Sequence, residues 1–298
     1  MKILISGASG FVGSALVARL RNTGHTPVPL VRANPDPAKS RYQWNVATGV
    51  IDPRALDGAD AIVHLAGENV GDGRWTAAKK RRIRDSRVDA TQRLCEHLAS
   101  LDPRPPALIA SSAIGFYGDT ADETVVETNR PGNGFLADVC SSWEDATTPA
   151  RDAGIRVVNV RTGVVLGRGG PLAKMLLPFK ACLGGTIGSG RQYMSWISID
   201  DIAAVLHHAI DSSDMQGPLN GVSPHPLTNR DFTKTLGKVL HRPTVLPLPA
   251  FMARLVFGEM ADELLLTSTR VSAERLLESG FEFRHPELEE ALRAVLGR

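Results

Sequence analysis

Cysteine is scarce in this chain: three residues in 298, at Cys95, Cys140 and Cys182. Their scattered spacing matches no metal-ligand pattern, so no metal is expected. It fits a reduced, cytoplasmic setting better than a disulfide framework. Long apolar runs are also missing, and a bilayer-spanning helix needs about 20 consecutive apolar residues. The short apolar run at the N-terminus reads as a first strand rather than a signal peptide. Neither charge dominates. With 34 basic and 32 acidic residues the net charge is +2, which gives no reason to expect nucleic acid or a membrane as partner. In that balance the run Lys79-Lys80-Arg81-Arg82-Ile83-Arg84 reads as the solvated start of a helix. There is no internal repeat and no low-complexity tract.

What the chain does have is a hydrophobic content of 43% and length enough for one large α/β domain with a smaller lobe. Strand-like apolar runs at residues 2–6, 26–31, 61–66, 107–112, 155–160 and 194–199 alternate with helical stretches. That rhythm predicts a doubly wound parallel sheet covered on both faces. Helices are expected over 14–20, 171–183 and 201–210. Beyond Asn220 the strand rhythm stops, after the proline-rich join Ser223-Pro224-His225-Pro226-Leu227. Helical patterns follow over 230–240, 251–266, 271–278 and 288–296. The expected division is a Rossmann-type domain over 1–220 and a mainly helical substrate lobe over 221–298, to which about 166–192 contribute. The lobe should close over the carboxyl edge of the sheet, where ligands of such folds bind.

Gly7-Ala8-Ser9-Gly10-Phe11-Val12-Gly13 joins the first strand to the first helix. A glycine-rich turn there lets backbone N–H groups and the positive helix end approach a pyrophosphate. Spaced glycines also serve ordinary tight turns, but a second strand follows at the distance a βαβ unit requires. After that second strand stands Arg32, where NAD-binding sites usually carry Asp or Glu. A guanidinium can hold a 2′-phosphate that a carboxylate would repel, so NADP(H) is expected over NAD(H). The plain alternative is a solvated basic loop with Lys39 and Arg41. Arg87 falls on the helix face of Ile83, Ala90, Leu94 and Leu98. A guanidinium aimed at a core needs a partner, either the cofactor or an internal carboxylate.

Several segments carry a family resemblance. They are Gly7 to Gly13, Leu65-Ala66-Gly67-Glu68-Asn69, Arg74-Trp75 with Ser86-Arg87, and Ser111-Ser112-Ala113-Ile114-Gly115-Phe116-Tyr117-Gly118. To these add residues 161–170 and 188–197. The chain resembles the atypical short-chain dehydrogenase/reductases known as epimerase family proteins. The stretch from about Leu246 is similar to that group's own terminal domain. Ser198 departs from the group, which more often has histidine there. The resemblance implies a Rossmann fold binding NADP(H), with contacts from Gly7, Ser9, Gly10, Phe11, Val12 and Gly13 at the turn and from Arg32 after the second strand. Leu65, Ala66 and Gly67 would border the adenosine. Arg82, Arg87, Ser111 and Val165 complete the implied set.

The catalytic pair of the superfamily does not carry over. Its working members use Tyr-x-x-x-Lys, in which the lysine lowers the phenol's pKa from about 10. The three tyrosines here, Tyr42, Tyr117 and Tyr193, are followed four residues later by Val46, Ala121 and Ile197. The corresponding slot holds Phe135 and Val139, which with Trp143 form an apolar stripe. The usual catalytic hydroxyl falls on Ala113, or on Ser112 with a one-residue shift. Any proton donor must come from elsewhere in the crevice. Ser112 and Tyr117 are the catalytic candidates, ahead of Tyr193, Glu68 and Arg191, whereas His64 reads as a packed histidine within a strand. Arg161, Arg168 and Arg191 hint at an anionic group on a small-molecule substrate, though each could pair internally. Two functions stand side by side: an NADP(H)-dependent oxidoreductase or epimerase, and a non-catalytic NADP(H)-binding sensor. Oligomeric state is not legible.

Overall fold

The computed structural model describes all of residues 1–298. Its central sheet takes strands β1 (Lys2–Ser6), β2 (Thr26–Val31), β3 (Tyr42–Gln43), β4 (Ala61–His64), β5 (Ala107–Ala113) and β6 (Arg156–Thr162). Two short strands, β7 (Val164–Leu166) and β8 (Trp196–Ser198), pair with each other outside it, and β9 (Gly217–Gly221) completes the main sheet. The order is β3-β2-β1-β4-β5-β6-β9, with every pairing parallel. The chain switches direction of winding between β1 and β4, which opens a crevice at their carboxyl ends.

Side chains alternate across the strands, so neighbours feed opposite layers. Ile3, Ile5, Val63 and Ile109 pack with Leu16 and Leu20 of α1 (Phe11–Asn22) on one face. Leu4, Ile62 and Leu108 pack with Ala90, Leu94 and Leu98 on the other. The basic run does begin a helix, α2 (Ala77–Asp85), but it stops at Ser86-Arg87 and α3 (Val88–Ala99) starts afresh. The remaining long helices are α4 (Phe135–Asp145), α5 (Gly170–Lys180), α6 (Ile199–Asp211), α7 (Asn229–Leu240), α8 (Ala250–Phe257) and α9 (Leu288–Leu296). Leu172, Leu176, Trp196, Phe232, Leu236 and Leu292 make a separate core beneath the C-terminal helices. No helix is long and apolar enough to cross a membrane.

Three expectations need correction. The strand over 194–199 is broken at Ser195, whose hydroxyl donates to Thr269 O (2.9 Å) and accepts from Val271 N (2.9 Å). Its second half, β8, lies outside the main sheet, where the outer position is taken by β9 instead. The helix over 251–266 ends at Gly258, where φ is +63°, and residues Ala261–Leu266 form a separate wide turn of π-helix. Within 271–278 only Glu274–Glu278 is helical. Ser198, the departure from the family pattern, caps α6 by accepting from Asp201 N at 2.9 Å.

Candidate functional site

The β1–α1 turn is built so that only glycine fits at two positions. Gly7 has φ +73°, and a Cβ there would lie 2.9 Å from the Leu65 carbonyl carbon. A Cβ on Gly13 would lie 2.1 Å from Gly7 O, so α1 could not pack so closely on the turn. Gly10 caps the helix with extended backbone and no side-chain acceptor, and no acid occupies the first turn. The N–H groups of Phe11, Val12 and Gly13 therefore point out with no acceptor in the chain, at the positive end of the helix. Ser9 and Gly10 are exposed beside them. The Phe11 ring wedges against the glycine loop after β7. A Cβ on Gly167, Gly169 or Gly170 would approach it to 2.5, 3.1 and 2.7 Å.

Arg32 leaves the end of β2 exposed, and its guanidinium has no partner in the chain. Across the crevice β4 ends at His64, and Leu65, Ala66 and Gly67 form the loop behind it, with Leu65 N donating to Ser6 O (3.2 Å). The Arg87 guanidinium sits against Gly67, where a Cβ would meet its Cζ at 3.3 Å. Arg87 Nη1 donates to Glu68 O (3.0 Å) and Ile83 O (3.2 Å), and the group stacks 5.0 Å from the Trp143 ring. No carboxylate pairs with it; Glu68 instead holds Lys79 at 2.7 Å and Arg82 at 3.6 Å. Burial pushes the Arg87 pKa down, as it does for a cation lacking an anion. Val165 is buried in the core behind the crevice, and Ser111 is half-buried near the end of β5.

Ser112 and Tyr117 are drawn elsewhere. Both are buried, at 4% and 3% exposure, in one polar network. Ser112 Oγ donates to Glu144 Oε1 at 2.6 Å, and Arg161 forks onto both Glu144 oxygens at 2.8 Å. Arg161 Nη1 also donates to the Tyr117 hydroxyl (2.9 Å), which in turn donates to Asn220 Oδ1 at 2.7 Å. The guanidinium lies 3.5 Å from the Phe116 ring centroid. With their hydroxyls committed here, Ser112 and Tyr117 are joints of a buried ion-pair network and not groups presented to a substrate. Burial raises the Tyr117 pKa further, opposite to what a proton-exchanging phenol needs. Glu127, Glu144 and Asn220 were not picked out from sequence, because their partners lie 17 to 103 residues away.

At the slot of the usual catalytic pair, Phe135 stacks edge-on to Trp75 at 5.3 Å. Val139 joins Trp75, Ile83, Leu136 and Met260 in an apolar cluster. The α4 N-terminus above it is capped by Glu263, whose two oxygens accept from Phe135 N (3.0 Å) and Leu136 N (3.1 Å). Arg161 pairs internally and Arg168 donates to Val295 O (3.0 Å), whereas Arg191 is exposed with no partner in the chain. The half-buried Tyr193 lies under Arg270, 4.7 Å from ring to guanidinium, and its hydroxyl has no partner.

His64 is fully buried between Ser6 Oγ (2.7 Å) and Thr91 Oγ1 (3.1 Å), and burial lowers its pKa to about 4. An unfolded imidazole takes a proton below about pH 6.5. Between those values unfolding binds a proton, so His64 makes the fold less stable as pH falls, by ~3 kcal/mol near pH 4. Urea midpoints at pH 7 and pH 4.5 should show this loss in the wild type and a smaller one in His64→Asn. Equal losses would remove His64 as the cause.

Residues 3–220 match the profile of the NAD dependent epimerase/dehydratase family, and residues 248–295 match a domain of unknown function, DUF1731. Over 291 residues the chain is 44% identical to Epimerase family protein Mb2239 of Mycobacterium bovis, covering 97% of this chain and 96% of the relative. It is 36% identical to Epimerase family protein SDR39U1 of Homo sapiens, covering 99% of this chain and all of that one. The crystal structure of the human protein, isoform 2 with NADPH, superposes with a TM-score of 0.91 at 34% identity, over 100% of this chain and 99% of that one. Fold, glycine turn and full-length similarity agree: the chain belongs to the NAD-dependent epimerase/dehydratase family.

Proposed function

We propose that the chain binds NADP(H) and uses it in oxidoreductase or epimerase chemistry on a small molecule, without a tyrosine–lysine pair. The observation that carries the cofactor reading is the uncapped α1 start, with three free N–H groups over a turn that only glycine can form. Those N–H groups would hold the pyrophosphate, and Ser9 would lie at its edge. Leu65, Ala66 and Gly67 would border the adenosine. Arg32 would fork onto the 2′-phosphate, and Arg87, a buried cation without an anion, would gain its missing partner from the bound dinucleotide. Arg82, already facing Glu68, would lie further out. When bound, the nicotinamide supplies hydride acceptance or donation. NADPH is the cofactor of the similar human structure.

The proton donor would be a group the fold leaves uncommitted. Tyr193 supports that role best, because its hydroxyl has no partner; Ser112 and Tyr117 would remain joints of the buried Arg161–Glu144 network. A second reading, a non-catalytic sensor of NADP(H), is favoured by one observation: Phe135 and Val139 place an apolar cluster where the pair would stand.

Calorimetric titration with NADPH and NADH, followed by absorbance assays of the NADPH complex against a carbonyl panel, separates the readings. NADPH-selective binding with oxidation supports the enzyme, and binding without turnover on any carbonyl supports the sensor. Arg32→Glu should weaken NADPH by ~10- to 100-fold, the worth of one or two charge-assisted contacts. NADH affinity should be nearly unchanged. Equal loss for both cofactors would sink the role given to Arg32.

A further inference from the structure

At the opposite end of the sheet, His25, His207 and Asp211 converge. His25 follows α1 and directly precedes β2, at the amino ends of the strands. His207 and Asp211 stand one turn apart in the last turn of α6. His207 Nε2 lies 3.0 Å from His25 Nε2 and 3.2 Å from Asp211 Oδ2, and the three atoms all lie within 4.8 Å of one another. Bonds of 2.0–2.1 Å to a tetrahedral zinc ion give ligand-to-ligand edges of about 3.3 Å. Two of the edges are thus close to the required length. The third can close, because Asp211 is exposed and free to move.

We propose that His25, His207 and Asp211 form a binding site for a borderline divalent cation such as Zn2+, with a fourth position left to water. Two imidazoles and one carboxylate suit zinc and its neighbours better than Mg2+ or Ca2+, which favour all-oxygen sets. The place is favourable, since α1 and α6 both end near it and a cation is stabilised close to the carboxyl end of a helix. The site is separate from the cofactor turn, about 15 Å away along the strands.

Two groups oppose the metal. Arg19 Nε donates to His207 Nδ1 at 3.3 Å, which keeps that ring's proton on Nε2. Metal binding at Nε2 moves the proton to Nδ1 and displaces Arg19, an exposed side chain with no other partner. Arg19 also adds like charge, as does the N-terminal amine 3.4 Å from His25 Nδ1.

The test is calorimetric titration of the full, untagged chain with Zn2+ in a non-chelating buffer, repeated with Co2+ to read its absorption spectrum. One Zn2+ per chain and a tetrahedral Co2+ band are expected. Changes around a metal's ligands alone cost about 10- to 100-fold, so His25→Gln and the exposed Asp211→Asn should each weaken binding ~100-fold. Arg19→Gln should tighten it, and Cys182→Ser should leave it unchanged. Absence of saturable binding, or wild-type affinity in His25→Gln or Asp211→Asn, would overturn the site. So would loss of binding in Cys182→Ser.

Discussion

Replacing Glu144 by alanine is expected to destabilise the fold by ~3–5 kcal/mol, the usual cost of stripping one partner from a buried ion pair. Arg161, with its side chain 3% exposed, would keep its charge and lose both of its forked bonds. Ser112 would lose its acceptor as well, so a hydroxyl would lose its partner and a guanidinium its counter-charge together. The stacking of Arg161 on Phe116 and its bond to Tyr117 cannot replace a carboxylate. Urea denaturation at pH 7 measures the loss. Removing both partners, in Glu144→Ala/Arg161→Met, should recover part of it, because no uncompensated charge then remains. A loss below ~1 kcal/mol in Glu144→Ala would mean the network is solvated and the structural role assigned to it is wrong.

Gly13→Ala carries the largest expected effect on ligand binding. The added Cβ would sit 2.1 Å from Gly7 O, 2.9 Å from Gly7 C and 3.0 Å from Ala8 Cα, all main-chain atoms that cannot rotate away. The turn must therefore open by about 1.5 Å, the difference between that contact and an ordinary one. Opening swings the N–H groups of Phe11, Val12 and Gly13 off a common target. NADPH affinity should fall by ~100-fold or more, about 2.7 kcal/mol or above. Ala18→Ser, on the exposed side of α1, should leave it unchanged. Calorimetric titration reads both variants. Wild-type affinity in Gly13→Ala would mean the pyrophosphate is held somewhere other than this turn.

The parts of the molecule that local chemistry specifies were legible. β1 and β2 have the expected bounds, because short apolar runs between turn residues leave little choice of register. Leu288–Leu296 was equally plain from its periodicity. Arg87 stood out because a cation on an apolar helix face must be answered, and the structure finds no carboxylate answering it. β9 was invisible for the opposite reason: Gly217-Pro218-Leu219-Asn220-Gly221 contains no strong strand former. It is a strand because β6 offers it an edge in register, Leu219 opposite Val160. Ser112 and Tyr117 looked like crevice hydroxyls because the residues that claim them, Glu144 and Asn220, come from distant elements. His25 and His207 are 182 positions apart and meet only once α1 and α6 are laid side by side.

The carboxylate of Glu263 has a consequence for how this chain can be recombined. It reaches from the C-terminal segment to the first turn of α4, 127 and 128 positions earlier. Arg270–Val271 pairs with Thr124–Val125 nearby, and the backbone N–H groups of Arg284 and His285 are held by Asp201. Residues from 248 onward are therefore no detachable cassette. A chimera that swaps this stretch for a relative's must bring an acid at the capping position, or leave two amides of α4 without an acceptor. Exchange between relatives would succeed or fail on that single inherited side chain well before any difference in substrate came into play.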